Sequence, residues 1–209
     1  MPAESREAWS RAQRSLHWWT ASLVLLAFVI AWIMVGLPLS QLLLKFGLYQ
    51  LHKSAGIFVL ALTLLRLVLR SRRGRPAWDA DLPRSQKRAA STVHVLLYAL
   101  LLATPVLGYF AAATAPARVP TLFLGLISIP HLTAPDPVWF GIVRQVHRVA
   151  AILLVLLACG HGLAAIHHHL RGRPTLTRMW GRRDVTKLAR YDGATRDRHR
   201  PAPSGGTAP

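Results

Sequence analysis

Residues 144–169 read RQVHRVAAILLVLLACGHGLAAIHHH, and this stretch indicates how the chain folds. The part from Val149 to Ile166 holds 18 residues without a charge, which is enough to cross most of a bilayer as one helix. His147 and His161 stand fourteen residues apart. At about 100° per residue they return to within roughly 40° of the same helix face, about 21 Å apart along the axis. One helix therefore presents an imidazole near each membrane surface.

The composition is typical of an integral membrane protein. The 209 residues are 52% hydrophobic and only 16% charged, and the apolar residues form blocks. A net charge of +18 would suggest nucleic acid in a soluble chain, but here the basic residues crowd the ends of the apolar blocks, where they orient helices. Nucleic-acid binding is therefore not expected. A single cysteine, Cys159, excludes both an intrachain disulfide and a cysteine-based metal site.

Four apolar blocks predict four membrane-spanning helices. The first block runs from Leu16 to Leu37 and is longer than the core of a signal peptide. The second runs from Leu51 to Leu69, the third from Ser91 to Ala113, and the fourth is the stretch quoted above. The segment Phe123 to Pro130 is too short to span and is expected either to lie flat at the surface or to cap the bundle. The predicted fold class is an all-α membrane protein, a four-transmembrane-helix bundle.

The chain divides into three parts. Residues 1–15 form a polar N-terminal segment, residues 16–170 the transmembrane domain, and residues 171–209 a basic tail whose last fifteen residues read as disordered. Most of the 26 Lys and Arg residues lie in the N-terminal segment, in the 71–90 link and in the tail. Because such residues collect on the cytoplasmic side of a membrane, both termini are predicted to be cytoplasmic.

This orientation places four histidines at two depths. His17 and His161 fall near the cytoplasmic side, whereas His52 and His147, each expected at the start of a helix, fall near the opposite side. Paired imidazoles on facing helices are how a four-helix bundle holds haem, because each ring nitrogen binds the iron from one face. Zinc is the rival metal, but two histidines without a carboxylate or cysteine are a poor zinc set.

Other polar residues near the cytoplasmic side have less definite roles. His94 has no partner assigned. The cluster from His167 to His169 is expected to follow the last helix and to be solvated. Arg66 and Arg70 share one helix face at the end of the second block, where long side chains can snorkel to the surface.

At these residues the chain resembles the prokaryotic cytochrome b561 family, which are four-helix diheme b-type cytochromes of the bacterial inner membrane. The resemblance spans about residues 11–180. The matching stretches are Leu16-His17-Trp18-Trp19, His52 to Gly56 with Leu65 to Arg70, His94 to Tyr98 with Thr104 to Tyr109, His147 with His161, and Thr175 to Met179. The triple histidine at 167–169 and the long tail after Arg190 depart from the family pattern.

The resemblance implies a bundle with two haem b groups in its core and an inner-membrane location. It implies that the ligands are His17, His52, His147 and His161. It also implies electron exchange with quinone, and in the best-studied branch of the family the activity is oxidation of superoxide coupled to reduction of ubiquinone. The predicted function is therefore an oxidoreductase that moves electrons across the membrane from superoxide outside to ubiquinone.

Four further residues receive roles on this hypothesis. Lys53, Arg144 and Arg148 stand beside the outer histidines and are assigned to attracting the superoxide anion, although anchoring at the membrane interface explains them equally well. His94 is assigned to binding or protonating quinone, and a packed structural histidine is the alternative.

Two other functions stay open at this point. The chain can be the cytochrome b subunit of a larger quinone-linked dehydrogenase, in which case a catalytic subunit should co-purify with it. It can also be a haem-free helical scaffold whose basic links bind anionic lipid, in which case the purified protein should be colourless.

Overall fold

Four long helices and a two-stranded hairpin make up the fold in the computed structural model, which describes residues 9–74, 82–172 and 175–180. The long helices are α1 (Arg11–Gly36), α2 (Leu42–Arg73), α3 (Arg84–Thr114) and α4 (Pro137–Leu170). A short 3₁₀ helix, Leu39–Gln41, precedes α2. Strands β1 (Thr121–Phe123) and β2 (Ile127–Ile129) lie between α3 and α4, and one turn of helix, α5 (Thr177–Trp180), follows α4.

The four long helices form a closed bundle. Each is long and apolar enough to cross a membrane, which confirms the predicted fold class. Helix α1 contacts α2, α2 contacts α3, α3 contacts α4, and α4 contacts α1, so α2 and α4 lie diagonally across the bundle. We call the end at which α1 begins the amino-terminal end and the opposite end, which carries β1 and β2, the hairpin end.

The helices extend well beyond the apolar blocks. Helix α2 begins at Leu42 rather than Leu51, and α4 begins at Pro137, ten residues before His147. His52 and His147 therefore lie about 15 Å into their helices, and the prediction that they stand at helix starts is wrong. The apolar blocks miss these turns because a charged residue, Lys45 in α2 and Arg144 in α4, interrupts the apolar residues. At α4, Asp136 Oδ1 accepts from two backbone N–H groups of the first turn, and proline occupies the first helical position.

The last turn of α4 also differs from expectation. The histidines from His167 to His169 were expected to follow the helix, but they form its final turn. There the rings meet the negative end of the helix dipole, which favours basic side chains. Within the predicted 71–90 link, α2 continues to Arg73 and α3 begins at Arg84. The predictions for residues 1–8, 75–81 and the tail beyond Trp180 lie outside the described residues.

One buried apolar residue from each helix forms a central layer in the bundle. The layer consists of Val24, Val59, Leu101 and Leu154. Seven residues make about two helical turns, so a position seven residues before or after each of these lies on nearly the same face, about 10 Å along the axis. Toward the amino-terminal end these positions are His17, Arg66, His94 and His161. Toward the hairpin end they are Ala31, His52, Gly108 and His147.

The hairpin, which the sequence placed either flat at the surface or as a cap on the bundle, packs along the side of α2, where the ring centroids of Phe58 and Phe123 are 5.1 Å apart. Two buried polar side chains of α2, Gln50 and Ser54, hold it. Gln50 Nε2 donates to the Pro120 carbonyl at 2.9 Å, and Gln50 Oε1 accepts from the Leu122 N–H at 2.9 Å. Ser54 Oγ accepts from the Leu124 N–H, also at 2.9 Å. These bonds satisfy polar groups that would otherwise lack partners next to an apolar bundle.

Candidate functional site

His52 and His147 face each other at the hairpin end of the bundle. Their ring planes are nearly perpendicular, at 83°. Nδ1 of His52 lies 3.0 Å from the Ala27 carbonyl, and Nδ1 of His147 lies 2.9 Å from the Thr104 carbonyl. Because a carbonyl oxygen only accepts, each bond places the ring proton on Nδ1 and leaves Nε2 with a free lone pair. A metal-binding histidine usually has this arrangement, in which the second nitrogen donates to a fixed acceptor.

The spacing of this pair fits one iron atom. An imidazole nitrogen binds a metal at about 2 Å and lies about 1.1 Å from its ring centre, so two rings on opposite faces of one iron have centroids about 6.2 Å apart. The centroids of His52 and His147 are 6.1 Å apart. Gly108 makes room for this position, because a Cβ there would lie only 3.0 Å from Cε1 and 3.3 Å from Nδ1 of His147. The residues present therefore fit a haem with two histidine ligands.

A second pair, His17 and His161, lies at the amino-terminal end. Its ring centroids are 6.4 Å apart and its planes meet at 73°. His94, for which the sequence gave no partner, lies beside this pair with its centroid 5.2 Å from that of His161. That separation is shorter than two rings on one iron require. The geometry thus favours His17 over His94 as the residue that shares a metal with His161.

A cation approaches the second pair from α2. The Arg66 guanidinium donates from Nη2 to Nδ1 of His17 at 3.3 Å. It also stands over the Tyr98 ring, 5.3 Å from the centroid, and Arg70 is 5.5 Å from the same centroid. The sequence suggested that Arg66 snorkels to the surface, but the side chain turns toward the histidines inside the bundle. The two histidine pairs thus differ, since carbonyls hold the first and an arginine contacts the second.

Helix α5 contacts α1 at the amino-terminal end, next to His17. Trp18 Nε1 donates to the Met179 carbonyl at 3.3 Å, and the rings of Trp18 and Trp180 have centroids 5.3 Å apart. Two of the stretches that carried the family resemblance are therefore in contact, although about 160 residues separate them in the chain.

The three predicted steering cations lie at the hairpin end. Lys53 Nζ donates to the two backbone carbonyls of residues 119–120, at 3.3 and 3.1 Å. Arg144 stands over the Phe140 ring of its own helix, 5.2 Å from the centroid. Arg148 is exposed beside His147. Lys53 therefore links α2 to the segment before the hairpin by hydrogen bonds, whereas Arg144 and Arg148 are exposed and place their charge at the surface.

The sequence reasoning missed two basic residues at the same end. Arg118 and His131 line a cavity of about 280 Å³ between the hairpin and α3. Nε2 of His131 lies 3.2 Å from Thr121 Oγ1. Burial, and then the positive charges of Lys53 and Arg118, lower the pKa of His131 below its ordinary 6.5, so the ring is neutral at pH 7. No periodic pattern marks these residues because they lie in irregular backbone.

Comparison with known proteins identifies the family. The family model described as "Prokaryotic cytochrome b561" matches residues 8–182. The chain belongs to the prokaryotic cytochrome b561 family. A relative, "Cytochrome b561 homolog 1" of Escherichia coli (strain K12), is 32% identical over 179 residues, which are 83% of this chain and 97% of that protein. "Cytochrome b561 homolog 2" of the same strain is 28% identical over 173 residues, 80% and 88% of the two chains.

Membership in the cytochrome b561 family confirms the resemblance and gives the general role. The protein is a multi-pass membrane protein that takes part in electron transfer, and b-type haem is the cofactor that the family implies. This implication argues against the haem-free lipid-binding scaffold. It also supplies a reason for two pairs of intramembrane histidines, which are otherwise unfavourable in a lipid environment.

Proposed function

We propose that the protein holds two b-type haems, one between His52 and His147 and one between His17 and His161, and that it transfers electrons across the membrane. The main support for this proposal is the geometry of His52 and His147. Their rings stand at the separation that one iron requires, and both Nδ1 atoms are held by backbone carbonyls. A bound haem supplies a reversible one-electron couple at each pair.

The apolar layer between the two histidine pairs would let electrons pass but not protons. The central layer of Val24, Val59, Leu101 and Leu154 lies between the two histidine pairs, about 10 Å from each along the helix axes. Its four side chains are apolar and offer a proton no hydrogen-bonding group. The macrocycle of a haem bound at each pair would shorten the gap of about 21 Å that an electron has to cross, whereas ions are excluded by the low dielectric of the layer.

We assign superoxide as the electron donor and ubiquinone as the acceptor. Two superoxide anions lose one electron each and leave as dioxygen, while ubiquinone takes up both electrons with two protons and becomes ubiquinol. Arg144 and Arg148 at the hairpin end, with Lys53 and Arg118 nearby, give the positive potential that attracts a small anion. With the hairpin end outside, both termini are cytoplasmic in the bacterial inner membrane, as the distribution of positive charge predicts.

His94 is the residue we assign to the quinone. Its ring lies beside His161, so a quinone oxygen bonded to it would stand next to the histidine pair at the amino-terminal end. An imidazole can donate a hydrogen bond to that oxygen and relay the proton that reduction requires.

The test is rapid mixing of the purified protein with superoxide while the haem absorbance is followed. We expect fast reduction that slows as salt shortens the screening length to about 10 Å at 0.1 M. The double variant Arg144→Gln, Arg148→Gln should react several-fold more slowly with an unchanged haem spectrum. Arg88→Gln, which removes an exposed charge at the other end, is the matched control and should react like the wild type.

Two outcomes would contradict the donor assignment. One is failure of superoxide to reduce the haems, and the other is a rate that responds neither to salt nor to the two substitutions. Either result, together with a co-purifying catalytic subunit, would favour the cytochrome subunit of a larger quinone-linked dehydrogenase.

A further inference from the structure

Arg66 is a permanent cation placed inside the bundle, and none of the described residues near it carries a carboxylate. A guanidinium stays charged at every physiological pH and can donate five hydrogen bonds but accept none. Of the residues that the structure describes, only Asp136 carries a carboxylate, and it caps α4 at the hairpin end. Arg66 lies at the amino-terminal end, with Arg70 over the same Tyr98 ring. Two positive charges thus converge where the described part of the chain offers no anion.

The contact between Arg66 and His17 conflicts with metal binding by His17. Arg66 donates to Nδ1, so in the neutral ring the proton sits on Nε2. A ring that binds iron through Nε2 must carry its proton on Nδ1, and it then has no lone pair there for Arg66. When His17 binds iron in this way, the Nη2 group of Arg66 that donates to Nδ1 has to find another acceptor. His52 and His147 show no such conflict, because carbonyls already hold their protons on Nδ1.

We propose that Arg66, supported by Arg70, is the carboxylate-binding site for a propionate of the haem at the amino-terminal end. This inference rests on the proposed pairing of His17 with His161. Haem b carries two propionates, and a guanidinium binds a carboxylate through two parallel hydrogen bonds. The Tyr98 ring, with both guanidinium groups over it, fixes the position of the pair of cations. Binding the carboxylate frees Nδ1 of His17 and restores the tautomer that iron requires.

The proposal is tested with haem-depleted full-length protein in detergent, refilled with haem b or with its dimethyl ester, which lacks both carboxylates. Wild-type protein should bind the ester at the amino-terminal end about tenfold or more weakly than haem b. Arg66→Gln should discriminate between the two much less than the wild type does, because only the more distant charge of Arg70 remains. Arg72→Gln, an exposed charge on another face of the same helix, should discriminate like the wild type.

Redox titration of the loaded protein gives a second readout. Removing a positive charge beside a haem disfavours its reduced form. Arg66→Gln should therefore lower the equilibrium constant for electron uptake by one haem about tenfold, which lowers the potential of that haem by about 59 mV. The other haem and both haems of Arg72→Gln should keep their potentials. Arg66→Lys keeps the charge without the planar fork and should lie between the wild type and Arg66→Gln.

Failure of this inference differs from failure of the proposed function. Equal binding of haem b and its ester by the wild type would overturn the propionate site even if Arg66→Gln did not fold. Unchanged discrimination and potentials in Arg66→Gln would do the same. If His17→Ala retained both haems, the pairing itself would be wrong, and the inference would fall with it.

Discussion

Gly108 is the position at which the haem geometry can be tested with a single methyl group. In Gly108→Ala the new Cβ would lie 3.0 Å from Cε1 and 3.3 Å from Nδ1 of His147, so the ring has to move by a few tenths of an ångström. That movement stretches the 2.9 Å bond from Nδ1 to the Thr104 carbonyl. We expect the haem at the hairpin end to bind more weakly while the haem at the amino-terminal end is unaffected.

The size of the effect follows from two terms. Weakening the hydrogen bond costs about 1 kcal/mol and overpacking against the ring costs about 2 kcal/mol, whereas the better helix propensity of alanine acts on the haem-free and the haem-bound protein alike and cancels. The loss of about 3 kcal/mol corresponds to roughly a hundredfold weaker haem binding. Because the methyl group acts on one ring only, the effect should be confined to one of the two haems.

The assay is haem content per chain, with optical and paramagnetic spectra to show which haem is lost. Gly141→Ala is the control, because it lies on α4 near the same end and its Cβ would have nothing within 4 Å. This control should keep both haems and unfold at a slightly higher temperature. If Gly108→Ala had the haem content and spectra of Gly141→Ala, His147 would not be held as the haem geometry requires.

Three further predictions concern other parts of the site. Lys53→Met should remove the donor to the carbonyls of residues 119–120 and make the hairpin more sensitive to protease, at a cost of about 1 kcal/mol because water can reach these carbonyls. Because the folded protein lowers the pKa of His131, the stability gained from its neutral ring is complete above about pH 6.5 and is lost as the pH falls through the folded-state value. The protection factors of the hairpin amides, which are corrected for the pH dependence of intrinsic exchange, should therefore fall toward pH 5 in the wild type but not in His131→Gln. His94→Ala should keep both haem spectra and slow their oxidation by added quinone, whereas loss of a haem would make His94 a ligand.

The fold was predictable because its signals are local. Apolar blocks of about 20 residues give the number of helices, and the distribution of Lys and Arg gives an expected orientation. The starts of α2 and α4 were not predictable in this way, because each helix extends past a charged residue, Lys45 or Arg144, at which the apolar count ends. This extension places His52 and His147 deeper in the bundle than expected, and α4 also extends through residues 167–169.

The site was predictable to the extent that it follows the helical repeat. The fourteen-residue spacing of His147 and His161 identified α4 as the helix that contributes one histidine to each of the two pairs. A seven-residue spacing applied to the other helices would also have placed Arg66 at the level of His17 and His161, and Gly108 at the level of His52 and His147. The partners of the hairpin, such as Gln50 and His131, could not be found, because they contact irregular backbone that no periodicity describes.

Haem content of the four single histidine variants shows whether each histidine pair holds one haem. We expect two haems per chain in the wild type. We predict that His52→Ala and His147→Ala lose the same haem, and that His17→Ala and His161→Ala lose the other. The spectrum of the remaining haem should therefore be shared within each pair and differ between the pairs. One haem per chain in the wild type, or the loss of different haems from His52→Ala and His147→Ala, would contradict the proposed pairing.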